Sequence, residues 1–412
     1  MWCPQRPRPA RNSPDAYPFG HDTRSNRGFQ PGGQLPQRRE LPPRPPVLAI
    51  GKARARAPGI DVEFPADSSA WRYLWAVPFP LCAFLIRGNG QMLVLPDSWT
   101  WDFWLADDGV RYHVFFLRAS RALLVADRRH WRAGIGHAVS RDLREWTLLP
   151  DALVHADPPA FDDMATWTGS ITRDPSGGWR MFYTGISHGD NGQVQRIGSA
   201  HSDDLTTWHR VAAHPLEADS RWYEKRGSNS ERYEAWRDPW VFPDAEGNGW
   251  HMLITARAKA DDMHDRGVIG HATSADLRRW TVRPPLSRPG AGFGHIEVMQ
   301  VEVVDGRPVI IFSCLRTDMS AGRRADGQSG GIWAAALDTT LGPFDLTTAQ
   351  PLTSPALYAG RVIRDRAGQW VLLAFQNTDS DEAFVGGLSD PIPIHWENSS
   401  DGQIRLHAAQ YG

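Results

Sequence analysis

The chain has 412 residues, of which 22% are charged, and a formal net charge of −2 at pH 7. This balance gives no electrostatic reason to expect nucleic acid or an anionic membrane surface as a partner. The 3 cysteines are far apart and lack metal-ligand spacing, which argues against a disulfide framework or a metal site and fits a reducing compartment. The 19 tryptophans supply large flat apolar surfaces, which suit both repeated cores and the faces of sugar rings.

Residues 1–65 are rich in proline and arginine and poor in apolar residues, as in Pro4–Pro9 and Leu41–Pro46. Such a segment buries too little surface to offset its ordering entropy, so the sequence predicts a disordered extension. The order of a secretory signal, with a basic start, an apolar run and a cleavage site of small residues, is not found near Met1. These features predict a cytoplasmic protein.

Residues 66–94 form an apolar lead-in whose structure the sequence leaves open. Tyr73–Ile86 contains Pro78 and Pro80 and is too short to span a bilayer, so we expect no membrane anchor. One interpretation is that this segment packs on the domain that follows. The other is that residues 1–91 are an over-called upstream extension and that Met92 is the true start.

From about residue 95 the sequence repeats. Ile135–Trp146 returns as Ile197–Trp208 and as Ile269–Trp280, with weaker copies at Ile332–Asp338 and Val385–Asp390. Each copy has the pattern of a strand, a tight turn containing Ser and Asp, and a second strand. A strand-like run precedes each copy, beginning at Tyr112, Trp179, Trp250, Pro308 and Trp370.

These repeats define five units of roughly 60 to 70 residues without helical periodicity. Short strands with a recurring tryptophan in each unit predict an all-β protein, a five-bladed β-propeller with four-stranded blades over residues 95–408. We assign Trp146, Trp208 and Trp280 to packing between blades rather than to ligand binding.

The innermost strand of each blade should begin ten to twelve residues before the strand-like run. Three of these five positions carry a carboxylate: Asp102, Asp238 and Glu297. The symmetry of a propeller places such residues around the mouth of one central funnel. Crowded carboxylates repel one another, which raises the pKa of at least one of them and separates an acid from a base or nucleophile. Glycoside hydrolysis needs such a pair.

Four motifs on these inner strands resemble those of the invertase and levansucrase clan, glycoside hydrolase families 32 and 68. Trp101–Trp104 resembles the nucleophile motif, and Trp167–Ser170 resembles the substrate motif. Trp236–Pro239 contains the Arg-Asp-Pro motif, and His295–Val298 stands where the clan has its acid/base glutamate. The resemblance covers about residues 95 to 400, with the motifs in the clan's order.

The resemblance implies a retaining glycosidase or transglycosylase that acts on β-fructofuranosides without a metal or other cofactor. Asp102 would be the nucleophile, Glu297 the general acid/base and Asp238 a stabiliser that binds sugar hydroxyls. The residues implied to line the sugar pocket are Trp101, Trp104, Trp167, Ser170 and Arg237. His130 and Trp131, in the long loop between the second and third strands of the first blade, are further subsite candidates.

Two departures and two alternatives remain at this stage. Val298 follows Glu297 where the clan has Cys-Pro or Arg-Pro, so Glu302 and Glu234 compete for the acid/base role. The chain ends soon after the fifth unit, which favours the single-domain layout of levansucrases. The alternatives are an inverting arabinofuranosidase or xylosidase on the same fold and a non-catalytic carbohydrate-binding propeller. The predicted partner is a carbohydrate, and the oligomeric state is not predicted.

Overall fold

Five sheets surround one axis, and each is built from one of the segments in which the sequence repeats. The computed structural model describes residues 85–86, 92–227, 233–260, 262–379, 383–399, 402 and 404–409. The predicted disordered extension, residues 1–65, lies outside the described residues, as does most of the apolar lead-in.

The strands follow the predicted blade order. Two short strands come first, β1 (Leu85–Ile86) and β2 (Met92–Leu93). Blade one contains β3 (Ser98–Asp107), β4 (Tyr112–Ser120), β5 (Gly134–Ser140) and β6 (Trp146–Leu153). Blade two contains β7 (Ala165–Arg173), β8 (Trp179–Ile186), β9 (Arg196–Ser202) and β10 (His209–Arg210). Blade three contains β11 (Trp236–Pro243), β12 (Trp250–Arg257), β13 (Gly267–Ser274) and β14 (Thr281–Arg283).

The last two blades complete the ring. Blade four contains β15 (Glu297–Val304), β16 (Arg307–Cys314), β17 (Gly331–Ala336) and β18 (Gln350–Pro351). Blade five contains β19 (Leu357–Arg364), β20 (Trp370–Gln376), β21 (Leu388–Ser389), β22 (Ile392–Asn398) and β23 (Ile404–Ala408). The described loops hold one short α-helix, α1 (Ala321–Ala325), and 3₁₀ turns at Arg121–Leu123, Ala126–Arg132, His188–Asp190, Arg316–Asp318 and Leu346–Thr348. Among the described residues, none of the helices is long and apolar enough to cross a membrane.

The inner strands β3, β7, β11, β15 and β19 contact one another in sequence around the axis, and β19 meets β3. This arrangement confirms the predicted five-bladed β-propeller. β2, which precedes the first blade in the chain, pairs with β21 of blade five and so closes the ring by backbone hydrogen bonds. β1 pairs with β6 at the outer edge of blade one. The first and last blades therefore have more than the predicted four strands, with five strands in blade one and six in blade five.

The second strand of each blade is buried on both faces because a neighbouring blade covers each side. In β16, the four residues from Val309 to Phe312 are 0% exposed. A strand covered on both faces loses the alternation of apolar and polar residues that marks a half-exposed sheet. This explains the continuous apolar runs from which the blades could be recognised in the sequence.

The repeated tryptophans lie between blades, as predicted. Trp208 of blade two meets Phe115 of blade one edge to face, with ring centroids 5.6 Å apart. Trp280 of blade three meets Phe182 of blade two in the same way at 5.3 Å. Trp146 is 2% exposed and shares a core cluster with β20 of blade five. Aromatic pairs with this geometry stabilise contacts beyond the area they bury.

Candidate active site

Every inner strand carries one extra residue at the same depth, a β-bulge that interrupts its pairing with the second strand. The bulges lie between Trp101 and Phe103, Trp167 and Gly169, Arg237 and Trp240, Glu297 and Gln300, and Tyr358 and Arg361. A bulge bends the strand and changes the direction of its side chains, and bulges are common next to active sites. Here five of them converge on the axis.

Hydroxyl groups on the second strands of three blades form hydrogen bonds with backbone groups at or next to the bulges of the neighbouring blades. Thr184 Oγ1 accepts a hydrogen bond from the Asp238 amide at 3.0 Å. Ser313 Oγ accepts from the Ala359 amide at 3.0 Å. Thr255 Oγ1 lies 2.8 Å from the Ile296 carbonyl oxygen. Each hydroxyl reaches from one blade to the next, so the bulges are fixed by neighbouring blades.

Asp102, Asp238 and Glu297 form a carboxylate cluster on this bulge layer. Asp102 is half-buried, whereas Asp238 and Glu297 are 3% and 4% exposed. The three positions are not strictly equivalent, in contrast to the sequence-based expectation. Asp102 and Asp238 lie in their bulges, whereas Glu297 pairs opposite Ser313 one residue before the bulge of blade four. A spacing of ten to twelve residues cannot resolve a difference of one residue.

The Asp102 carboxylate has one direct hydrogen-bond donor, since its Oδ2 accepts from Thr168 Oγ1 at 2.6 Å. The pKa of Asp102 is raised to about 7 by burial, the largest cause, and by the charges of Asp238 and Glu297, against the opposing effects of the Thr168 hydrogen bond and the Arg129 cation. Like charges in a water-poor site disfavour a second ionisation. Asp102 is therefore poised to change protonation near neutral pH.

Asp238 also has a raised pKa. Burial, the largest cause, and the charge of Glu297 raise the pKa of Asp238 to about 6, against the neighbouring Arg237, which lowers it. Its Oδ2 lies 2.9 Å from Thr255 Oγ1 and accepts from the Val298 amide at 3.4 Å. Asp238 itself adopts a left-handed backbone conformation with a φ of 57°. The surrounding hydrogen bonds hold it in this uncommon conformation.

Glu297 is held on both carboxylate oxygens. Its Oε1 lies 2.5 Å from Arg237 Nη2, and its Oε2 accepts a hydrogen bond from the Tyr358 hydroxyl. The Arg237 guanidinium also lies 3.5 Å from Asp238 Oδ2, so one cation bridges two carboxylates of the cluster. Bidentate and bridging guanidinium contacts fix carboxylate geometry as well as charge.

A buried histidine orients Arg237. His295 Nδ1 lies 3.1 Å from Arg237 Nη2, and its Nε2 lies 3.1 Å from the Tyr233 hydroxyl. Burial and the Arg237 charge lower the pKa of His295 well below its ordinary value, so the ring is neutral. Because a guanidinium only donates, Nδ1 of the neutral ring accepts from Arg237. Gln195 Oε1 accepts a hydrogen bond from Arg237 Nη1 at 3.3 Å.

Aromatic side chains from the first two blades meet beside the cluster. The rings of Trp101 and His130 lie 5.7 Å apart, and those of His130 and Trp167 lie 6.4 Å apart. Trp167 Nε1 donates to the His130 carbonyl oxygen at 2.7 Å, while Trp131 packs half-buried on the same core. The structure thus brings four of the predicted pocket residues together.

Two predicted pocket residues do not reach the funnel. Trp104 is 0% exposed and stacks on Phe115, with ring centroids 6.3 Å apart. Ser170 is also 0% exposed, and its hydroxyl accepts from the Val241 amide at 3.1 Å. Both lie past the bulge, deeper along their strands, where side chains point between blades. The expectation that they line a sugar pocket is therefore corrected.

Neither competitor of Glu297 lies in the carboxylate cluster. Glu234 pairs with Lys225 Nζ at 2.7 Å and accepts from the Arg226 amide at 3.2 Å. Glu302 lies in β15 opposite Val309, further from the funnel than Glu297. The structure instead adds residues that sequence reasoning missed, namely Thr168, Tyr358, His295 and Arg361. Tyr358 and Arg361 flank the bulge of blade five, so the position of the inner strand was the signal that could have found them.

A carboxylate cluster with one half-buried member can supply a proton on one side of an acetal and an electron pair on the other. Within the described ranges, no group of three or more His, Cys, Asp or Glu side chains is arranged to hold a metal ion. The groups present therefore include acids, bases, hydrogen-bond donors and aromatic surfaces, which are the groups that carbohydrate chemistry uses.

Two curated relatives are each similar in sequence to about half of this chain. In sequence, the chain is 30% identical over 194 residues to a fructan 6-exohydrolase of Beta vulgaris, covering 45% of this chain and 28% of that protein. It is 29% identical over 209 residues to the cell wall isozyme of beta-fructofuranosidase of Pisum sativum, covering 50% and 34%. The chain thus spans about a third or less of the length of these curated relatives.

Among solved structures, the inulosucrase from Halalkalicoccus jeotgali bound to kestose has the same fold, with a TM-score of 0.60 at 19% identity over 80% of this chain and 94% of that one. The model of the glycosyl hydrolases family 32 N-terminal domain matches residues 105–398, which include Asp238 and Glu297 and begin just after Asp102. This match covers well over half of the sequence, and the chain therefore belongs to glycosyl hydrolase family 32.

Proposed function

We propose that this chain is a retaining glycoside hydrolase or transglycosylase that acts on β-fructofuranosides. In this proposal Asp102 is the nucleophile, Glu297 is the general acid/base, and Asp238 binds sugar hydroxyls. The observation that carries it is the convergence of these three carboxylates on the bulge layer, with Arg237 bridging Asp238 and Glu297. The names of the relatives, which refer to fructans and β-fructofuranosides, support the substrate class.

Asp102 has the surroundings that a nucleophile needs. It is the most exposed member of the carboxylate cluster, and it has no ion pair among the residues that the structure describes. Thr168 binds only one of its oxygens, which leaves the other as the attacking atom. Attack on the anomeric carbon forms a glycosyl ester and releases the leaving-group oxygen, which takes the proton of Glu297.

The electrostatics of the cluster support the second half of the reaction. Asp102 loses its negative charge when it forms the glycosyl ester, so the repulsion between Asp102 and Glu297 disappears. Glu297, which gave its proton to the leaving group, can then take a proton from water or from an acceptor sugar. Transfer of that oxygen to the anomeric carbon breaks the ester and restores the Asp102 carboxylate.

Substitution of the two principal carboxylates tests the proposal. We expect Asp102→Asn and Glu297→Gln to lower kcat/KM for sucrose, levan or inulin by about 10³-fold or more. Glu297→Gln should lose less activity on an aryl fructoside, because a good leaving group needs no proton. Glu302→Gln, on the same strand but further from the funnel, is the matched control and should keep wild-type activity.

Product analysis separates this function from its alternatives. NMR of the first product should show fructose released or transferred with retained anomeric configuration. An inverted product would favour the arabinofuranosidase or xylosidase type of mechanism. A wild-type protein that binds these sugars but leaves all of them and aryl glycosides unchanged would be a carbohydrate-binding propeller instead.

A further inference from the structure

A buried guanidinium lies on the axis just past the carboxylate cluster. Arg361, the first paired residue after the bulge of blade five, is 2% exposed. Its Nε donates to the Phe103 carbonyl at 3.3 Å, and its Nη1 lies 3.1 Å from the Val298 carbonyl and 2.6 Å from that of Met299. Its Cζ lies 5.0 Å from the Trp240 ring centroid. One side chain thus joins blades one, three, four and five.

These contacts place the cation beside the backbone that carries or binds two of the three carboxylates. Phe103 directly follows Asp102, and the Val298 amide is a donor to Asp238 Oδ2. The pKa of Arg361 is lowered to about 10, because burial outweighs the opposing charges of Asp238 and Asp102. The guanidinium therefore stays protonated at neutral pH. The charged groups that face the two aspartates are Arg361, Arg129, Arg237, Glu297 and each other.

A residue that served only for packing would not need this charge. Burying a cation costs free energy unless it is paired, and Arg361 Nη2 has no hydrogen-bond partner among the described residues. An apolar side chain of similar volume would avoid both costs. The charge is therefore the property of this side chain that needs an explanation.

We infer that Arg361 is a positioning residue of the active site, whose positive charge stabilises the negative charge of the Asp102 and Asp238 carboxylates and whose hydrogen bonds fix the bulges that carry the cluster. This inference rests on the proposed function for its kinetic test. The chain also contains a natural control. Gln300 takes the same place after the bulge of blade four and binds both the amide and the carbonyl of Val362 at 2.9 Å, but it carries no charge.

The experiment compares the pH dependence of kcat/KM for wild type, Arg361→Met, Arg361→Lys and Gln300→Met. We expect Arg361→Met to shift the acidic limb of the kcat/KM profile to higher pH, by about one pH unit or more. The reason is that the loss of the cation raises the pKa of both aspartates. Arg361→Lys should keep the limb of the wild type. Gln300→Met should be less stable but should keep the limb as well.

An Arg361→Met protein whose acidic limb coincides with that of the wild type would overturn the inference. If Arg361→Met does not fold, the neutral but polar Arg361→Gln decides: a folded glutamine variant whose acidic limb lies at higher pH supports the role of charge, and one with the limb of the wild type overturns it. Carboxyl ¹³C NMR of aspartate-labelled protein, assigned with Asp102→Asn, reads the same shift without turnover. An inert wild type therefore contradicts the proposed function, whereas an unmoved carboxyl pKa contradicts only the role of Arg361.

Discussion

The hydroxyl of Thr168 is the direct donor to Asp102, and its removal should change both rate and pH dependence. Thr168→Val keeps the shape of the side chain but loses the 2.6 Å bond to Asp102 Oδ2. Because this bond lowers the pKa of Asp102, its loss should move the acidic limb to higher pH. A hydrogen bond to a charged group stabilises by about 1.5–3 kcal/mol, so we expect kcat/KM to fall about 10- to 100-fold.

Thr166→Val is the matched control for this experiment. Thr166 lies on the same strand and is equally buried, but its hydroxyl points to the Ala133 carbonyl. This variant should keep the wild-type pH profile. An unchanged acidic limb in Thr168→Val would mean that Thr168 does not control the ionisation of Asp102.

The Tyr358 hydroxyl holds Glu297, so its removal should affect proton transfer. Tyr358→Phe loses the donor to Glu297 Oε2. We expect kcat on a natural fructoside to fall by about tenfold or more, with a smaller loss on an aryl fructoside that needs less acid assistance. Tyr112→Phe, which loses a bond to the Arg364 carbonyl far from the cluster, should retain full activity. Equal losses on both substrates would argue against a link between Tyr358 and the acid/base step.

For single residues, the sequence predicted the carboxylates of the cluster better than the residues that surround them. Asp102, Asp238 and Glu297 could be found because they recur at similar distances before a strand, and the structure brings them together. Trp104 and Ser170 were misplaced because motif resemblance does not show which side of a bulge a residue occupies. His295 gave no signal of its own, since its partners Arg237 and Tyr233 are about 60 residues away in sequence.

The bulges form one layer that depends on hydroxyls from neighbouring blades. Ser313→Ala leaves the buried Ala359 amide without its acceptor, while Ala359 keeps a positive φ of 50°. An unsatisfied buried amide costs about 1–3 kcal/mol, and we expect the free energy of unfolding to fall by that amount. Urea denaturation measures it. Ser354→Ala, where water can replace an exposed hydroxyl, should change stability far less.

Strand order and blade number could be predicted because buried second strands are apolar and the Ser-Asp turns recur. The bulges could not be predicted, because Asp102, Thr168 and Val298 share no residue type. What they share is a position opposite a particular residue of the next strand, and this appears only when the strands are paired. The same limit explains why Glu297 was assigned to the level of Asp102.

At the scale of the whole molecule, the part of the propeller that the structure describes contains two histidine pairs, one buried and one part-buried, that oppose acidification. His113 contacts His137 at 3.0 Å, and His251 contacts His271 at 3.0 Å. Burial lowers the pKa of His137 to about 3 and that of His271 to about 4. The unfolded chain takes up these protons near pH 6.5 and the folded chain does not, so stability present above pH 6.5 is lost as pH falls toward 4.

We therefore expect the free energy of unfolding to decrease by roughly 2 kcal/mol or more between pH 7 and pH 4. His137→Gln and His271→Gln should flatten this dependence, because glutamine keeps a polar atom near the position of Nε2 but does not titrate. Chemical denaturation at several pH values provides the measurement. A slope unchanged in the double variant would assign acid sensitivity to other groups.

The closure of the ring also determines which strands can pair only late in folding. β2 pairs with β21 through Leu93 and Leu388, which are about 300 residues apart in the chain. No local contact can replace this pairing, and long-range pairing is slow because loop closure must precede it. During synthesis on a ribosome, β2 would emerge early and would remain unpaired until β21 of the fifth blade has been synthesised. β2 and the uncovered face of the first blade are therefore exposed longest during synthesis, which makes this interval the one in which the nascent chain is most prone to misassembly.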